Sequence, residues 1–228
     1  MQYRKQACDM REVKMKYEWK KHEHNIYTNT NKPALITIPK QNYIMISGKG
    51  NPNGDDFAAR IGVLMSLAYP IKMRHKANFN SDPEYASRFP YGDYTVFPLE
   101  GIWAASVIPE KDTPLDKENL IYTIMVRQPD FVTRKMFDAA YAVVEKKKHH
   151  PLLKEVKFDR MEDGLCIQML HIGSFDDEPE SFALMDAYAK ETGYERPDHI
   201  HREIYLNDAR KTAPEKLKTI LRYRVKKG

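Results

Sequence analysis

The stretch Asp198–Asp208, DHIHREIYLND, alternates as a strand does, and its two sides differ in chemistry. Side chains reverse at every residue along a strand. Ile200, Ile204 and Leu206 therefore share one side with Arg202, while His199, His201, Glu203 and Tyr205 share the other. The apolar side suits covering by helices. The other side lines up a carboxylate, a phenol and two imidazoles, a row that either meets bulk water or lines a cavity.

Working outward, this strand is the third element of a unit that occurs twice. The first copy begins with NYIMISGKG, a strand ended by Gly48 and Gly50. The turn NPNGDD follows, and then a helix with Phe57, Ile61, Leu64, Met65 and Ala68 on one face, expected to end near Pro70 or shortly beyond. NFNSDPEYASRFPYGD reads as a loop. The strands YTVFPLEGIWAAS and ENLIYTIMVRQP close the copy, joined by the turn PEKDTPLD. The second copy has the strand LCIQMLHIG, the turn SFDDEP and a helix burying Phe182, Met185 and Ala189. The opening stretch and EKLKTILRYRV complete it.

Around these copies, about 42–128 and 163–226, the sequence places a polar extension over residues 1–31. Within it, Tyr17 and Trp19 suit docking onto the domain. A short edge strand, ALITIP, follows, and an amphipathic helix at about 130–150 carries Phe137, Ala140, Tyr141 and Val144 on one face. KEVKFDRMEDG reads as a linking arm in the form of a short hairpin. Two strand-helix-strand-strand modules predict an α+β domain over 32–228. It has one antiparallel sheet with helices on one face and a ligand cleft, where the modules meet, on the other.

The composition excludes several classes. The chain has 228 residues, 42% of them hydrophobic, enough for a packed core. No apolar run is long enough to cross a bilayer and no signal sequence opens the chain. Two cysteines, Cys8 and Cys166, form no framework, so a reduced cytoplasmic setting is expected. The net charge of +5 is concentrated in the two ends, and no known nucleic-acid-binding motif accompanies it. Neither a membrane nor nucleic acid is therefore expected as a partner.

The segments KPALITIP, GKGNPNGDDF, FPLEGIWA, MVRQPDFVT, IGSFDDEP and HREIYLNDARKTAPEKLKTILRYRV, in this order, resemble the GyrI-like small-molecule-binding proteins over about Lys32 to Val225. The resemblance implies a module shared with the effector domains of multidrug-responsive regulators, where an acidic residue among aromatic side chains meets planar or cationic drugs. This chain carries no DNA-binding headpiece. Some stand-alone members hydrolyse cyclopropane-containing DNA-alkylating compounds, and the resemblance makes Glu203 and Tyr205 the candidate catalytic residues. Trp103, Glu203 and Tyr205 become candidate ligand contacts, with Glu100 beside them. Tyr43 and His171, on the first strands of the two copies, complete the candidate set. Trp103 and Glu100 lie on opposite sides of a regular strand, and only a bulge near Gly101 would bring them together.

A carboxylate among aromatic rings suits either of two tasks. It can act as a general base toward water, or as a counter-charge for a cation that the rings also attract, by about 0.5–2 kcal/mol. The competing function is a non-catalytic module that sequesters a toxin or contacts a protein such as a topoisomerase. A metal held by His199, His201 and Glu203 is disfavoured because no fourth ligand is visible, and no cofactor is expected. Cys166 reads as a small core residue.

Overall fold

The computed structural model describes residues 16–105, 116–147 and 149–228. Cys8, the turn starting at Pro109 and Lys148 lie outside them or at their edge. In chain order the elements begin with α1 (Trp19–His22), β1 (Ala34–Ile38), β2 (Gln41–Lys49), α2 (Asp55–Ser81), α3 (Pro83–Ser87), β3 (Leu99–Ala105) and β4 (Leu120–Gln128). They continue with α4 (Arg134–Lys147), β5 (Lys157–Met161), β6 (Gly164–Ile172), α5 (Glu178–Glu191), β7 (Tyr194–Glu195), β8 (His201–Tyr205), β9 (Lys218–Arg224) and β10 (Lys226–Lys227).

Eight strands form one antiparallel sheet in the order β1-β6-β9-β8-β3-β4-β2-β5, and β7 pairs with β10 apart from it. The order is symmetric about the β3–β8 pair. Each module supplies three strands, and the strand that precedes a module pads the far edge of the other one. KEVKFDRMEDG therefore does not fold back on β6 as a hairpin, because β5 pairs with β2. The duplication extends to backbone detail. Gly50 and Gly173, which follow β2 and β6, both take left-handed backbone, with φ of 108° and 142°. Gly50 N–H donates to the Leu120 carbonyl at 2.8 Å and Gly173 N–H to the Leu217 carbonyl at 3.1 Å.

The helix α2 does not stop at Pro70 but runs through it to Ser81. Leu64, Leu67, Ala68, Ile71 and His75 stay on one buried face past the proline. That burial outweighs one missing hydrogen bond. The expected loop after Pro70 is thus partly helix, and α3 follows, capped by the Asp82 carboxylate. Among the described residues no helix is long and apolar enough to cross a membrane.

The register sorts the side chains onto two faces. On one face Ile44, Ile46, Ile124 and Val126 join the core that includes Phe57, Val63 and Leu64 of α2. The same face carries Ile167, Met169 and Leu221 under Met185 and Ala189 of α5. The opposite face is polar at its centre and is covered by residues 17–30 of the extension. Gln168 Nε2 donates to the Asn25 carbonyl at 2.9 Å, and an Arg222 amino group to the Ile26 carbonyl at 2.9 Å. Trp19 Nε1 donates to the Val96 carbonyl at 3.1 Å, and Arg127 pairs with Glu23.

At the middle of this covered face Arg202 lies between two carboxylates. One of its amino groups is 2.8 Å from Glu100, and Nε and the other amino group are each 2.8 Å from Asp163. Burial pushes the Glu100 carboxyl up against the opposing pull of Arg202. At Asp163 burial acts in the same direction, but Arg202, Arg222 and Arg224 outweigh it and hold the carboxyl low. Removing one member of such a group leaves the others buried and uncompensated. Arg202→Met keeps the bulk and removes the charge, so it is expected to lower stability by about 3–5 kcal/mol in urea denaturation.

Candidate functional site

The strand β8 is regular, and its pairing places each side chain. Glu203 stands opposite Gly101 of β3 and Leu221 of β9, and His201 opposite Trp103. Leu221 packs under Met185 of α5. The row His201, Glu203, Tyr205 therefore faces the helices. This corrects the expectation that it points away from them. The physical reason lies in the neighbouring strand positions: Arg202 pairs with Glu100 and Asp163 beneath the extension, which assigns the intervening residues to the other face.

On the helix face the residues form a directed chain. Trp103 Nε1 donates to the Tyr205 hydroxyl at 2.9 Å, and that hydroxyl donates to Glu203 Oε2 at 2.7 Å. His201 Nε2 is 3.0 Å from Glu203 Oε1. Burial and the Glu203 charge push the Tyr205 phenol far up, so it stays a donor. Gly101 makes the arrangement possible. A Cβ there would sit 2.6 Å from Trp103 Nε1 and 3.3 Å from the Tyr205 hydroxyl. No bulge interrupts β3, whose register with β4 and β8 is continuous.

Aromatic rings enclose the chain. Phe57 of α2 lies 5.7 Å from Trp103, and Tyr122 of β4 lies 5.3 Å from it. On the α5 side Phe182 meets His201 edge-on at 4.9 Å, and Phe175 meets Tyr205 edge-on at 6.0 Å. Glu203 is 8% exposed, so the expected open cleft is here a packed aromatic seam. Phe175, 39% exposed, forms its outer rim. A separate cleft of about 650 Å³ opens at the C-terminal end of α5. It is lined by Asp186, Tyr194, Arg196 and His199 among others, and by none of the seam residues.

The candidate set divides between the faces. Trp103, Glu203 and Tyr205 come together. Glu100 and Tyr43 do not join them, because both lie on the covered face. Glu100 is held by Arg202, and the Tyr43 hydroxyl is 2.7 Å from the Gln41 side chain. His171 is on the helix face, but both of its ring nitrogens are engaged, with Ser181 Oγ and the Ser174 carbonyl, each at 2.9 Å. It anchors the start of α5 instead of presenting a free imidazole. His199 is exposed and precedes β8, so it does not extend the row. Cys166 is buried, and burial pushes its thiol up to about 11.

One residue of the seam was not singled out in the sequence. Glu178, the first residue of α5, is 7% exposed and has a buried Oε1 with no hydrogen-bond partner. Glu178, His201 and Glu203 each bring one ligand-capable atom to within 4.8 Å of the other two, a set that could hold a metal ion. In SFDDEPES, Glu178 looks like any acidic residue that complements a helix N-terminus. A signal was present nonetheless. Glu178 lies four residues before Phe182 and seven before Met185, on the stripe that packs inward.

Burial, then the Glu203 charge, then Asp176 push the Glu178 carboxyl up to about 10. The unfolded chain ionises such a group near 4.5, so the native state holds more protons across the interval between the two values. Unfolding free energy should then fall as pH rises through that interval, by at most about 1.4 kcal/mol per pH unit from this group. Glu178→Gln should flatten the dependence and be more stable than the parent at pH 9, as read from urea midpoints at pH 6 and pH 9.

The family model for the GyrI-like small molecule binding domain matches residues 31–226. No curated protein matches. Among solved structures, an uncharacterized conserved protein from Listeria innocua is 36% identical, with a TM-score of 0.80, covering 92% of this chain and 100% of that one. A Listeria innocua protein described as a hydrolase is 33% identical, with a TM-score of 0.77, covering 92% and 100%. A second hydrolase from Listeria innocua is 35% identical, with a TM-score of 0.78, covering 93% and 100%. This chain belongs to the GyrI-like small-molecule-binding family.

Proposed function

We propose that the seam between β3 and β8 receives a flat, largely apolar small molecule and that Glu203 drives water onto a strained ring in it, the cyclopropane of a DNA-alkylating compound being the model. The observation that carries this reading is the chain from the Trp103 indole through the Tyr205 hydroxyl to Glu203, set among aromatic rings. Among the described residues no Lys or Arg lies within ion-pair distance of Glu203. Its partner at that range is the His201 imidazole, at 3.0 Å.

In this reading Glu203 accepts a proton from water as the water oxygen bonds to a ring carbon. The strained C–C bond breaks, and its electron pair moves into the conjugated carbonyl, which becomes an enol or phenol once protonated. Tyr205, donating to Oε2, fixes the carboxylate plane. Trp103 orients Tyr205 and offers its indole face to the ligand. Excluding bulk water leaves these few dipoles to set the electrostatics of the step. The Listeria relatives described as hydrolases support a hydrolytic reading without naming a substrate.

The binding-only alternative uses the same seam, with Glu203 as counter-charge to a cation. Incubation with a cyclopropane-bearing alkylator, followed by mass spectrometry of the ring-opened product, separates the two. Turnover should fall by about 100-fold or more in Glu203→Gln. Product formed equally fast by Glu203→Gln would remove the base assignment, and saturable binding without product would establish sequestration. Trp103→Ala should weaken binding of the same compound by more than about 1 kcal/mol in titration calorimetry. Unchanged affinity would place the ligand elsewhere.

A further inference from the structure

We propose that Glu178, His201 and Glu203 form a binding site for one divalent metal ion of the zinc type. The site stands on the geometry of the seam and does not rest on the hydrolytic reading. It differs from the set that the sequence offers, because Glu178 of α5 takes the place that His199 would have filled.

One ligand-capable atom from each residue lies within 4.8 Å of the other two. His201 Nε2 and Glu203 Oε1, 3.0 Å apart, are close to the ~3.3 Å that separates two ligands on a tetrahedral zinc with bonds of about 2.0–2.1 Å. The other polar atoms of both residues already have partners. The Tyr205 hydroxyl donates to Glu203 Oε2 at 2.7 Å, and Trp103 Nε1 donates to that hydroxyl at 2.9 Å, which leaves Oε1 for an ion. His201 Nδ1 faces the His199 carbonyl at 3.5 Å, the kind of partner that makes Nε2 the ligand nitrogen. Such outer partners orient metal ligands and hold their tautomer. His171 steadies the third ligand by engaging Ser181 Oγ and the Ser174 carbonyl, on either side of Glu178 in the chain.

A second observation points to a cation. Glu178 is 7% exposed, and its Oε1 is buried with no hydrogen-bond partner. Such an oxygen is costly to leave unsatisfied, and a bound cation removes that cost. Among the described residues His201 is the only ion-pair partner of either carboxyl, so a divalent ion supplies the balance that no Lys or Arg does. The donor set selects the ion. One imidazole and two carboxylates suit zinc and its first-row neighbours, whereas calcium and magnesium favour oxygen ligands alone and in larger number. Three protein ligands leave a fourth position for water or for an oxygen of a bound compound. The ion takes Glu203 Oε1, the oxygen that Tyr205 leaves to accept a proton from water. The ion and the hydrolytic use of Glu203 therefore exclude each other.

The test uses the full chain, stripped with EDTA and titrated with Zn2+ alone at pH 7.5. Calorimetry should show one ion bound per chain, and Zn2+ should raise the urea midpoint of unfolding. Glu178→Gln and His201→Gln should each weaken binding by about 100-fold or more, and Tyr205→Phe, which removes only the group that orients Glu203, by about 10-fold. Mg2+ and Ca2+ should bind about 100-fold more weakly than Zn2+ or worse. Co2+ in place of Zn2+ should absorb in the visible without a thiolate charge-transfer band, which separates this site from one built on Cys8 or Cys166. A wild type that takes up no stoichiometric Zn2+ overturns the proposal. So does a thiolate band, and so does uptake unchanged in both variants, since the ion then sits elsewhere. Mg2+ or Ca2+ binding as tightly as Zn2+ overturns the assignment of the ion. Should Glu178→Gln fail to fold, His201→Gln decides. Ring opening is a separate readout: saturating Zn2+ should stop it and EDTA restore it. Turnover that continues in the zinc-loaded chain leaves the site standing and removes Glu203 as the base.

Discussion

The pairing of β3 with β8 is the constraint on which the rest of this molecule depends. It is the one ladder that joins the two modules at the centre of the sheet, and its register sets which residues from each half meet. Because side chains reverse along both strands, a single alignment builds two unlike clusters at once. On one face it brings Trp103 and Gly101 to His201, Glu203 and Tyr205. On the other it brings Glu100 to Arg202. A slip of one residue would exchange the two sets, placing Arg202 under α5 and Glu203 against Asp163. Each cluster therefore helps to hold the register for the other.

The two clusters differ in how their charge is compensated. Beneath the extension, Arg202 pairs with Glu100 and Asp163, and Arg222 donates to Gln168 and the carbonyl of Ile26. Such a group is closed chemistry, with its charges consumed in holding the extension to the sheet and the sheet to itself. Under the helices, Glu178 and Glu203 lie close together, with the His201 imidazole beside them. The excess of acid over base there is what makes the seam chemically different from the rest of the core. Gly101 and Phe175 bear on the same seam, since one leaves space for the indole and the other packs edge-on against Tyr205 at its outer side.

Much of the architecture was legible in the residues. The strand-helix-strand-strand order, the apolar stripes of α2, α4 and α5, and the glycines after β2 and β6 all follow from local periodicity and turn chemistry. Trp103, Glu203 and Tyr205 became candidates through the family resemblance, and the structure brings the three together. The face they occupy was not legible. Ile200, Ile204 and Leu206 look like the side that helices should cover, yet Ile200 is exposed and Ile204 lies beneath the extension with Arg202. Local hydropathy counts how apolar a face is, and it does not say whether the cover will be a helix or a polar segment rich in carbonyls. Pro70 misled for a similar reason, because burial of Ile71 and His75 beyond it was invisible in the spacing alone.

The sequence by itself determined the fold class and the duplication, since these depend on periods of two and of 3.6 and on turn residues. Only the tertiary structure decided that Glu100 and Tyr43 belong to a closed ion network, that His171 anchors α5, and that Glu178 stands against Glu203. Those assignments depend on which strand lies beside which and on what covers each face. Both are properties of contacts between residues far apart in the chain, and no local pattern encodes them.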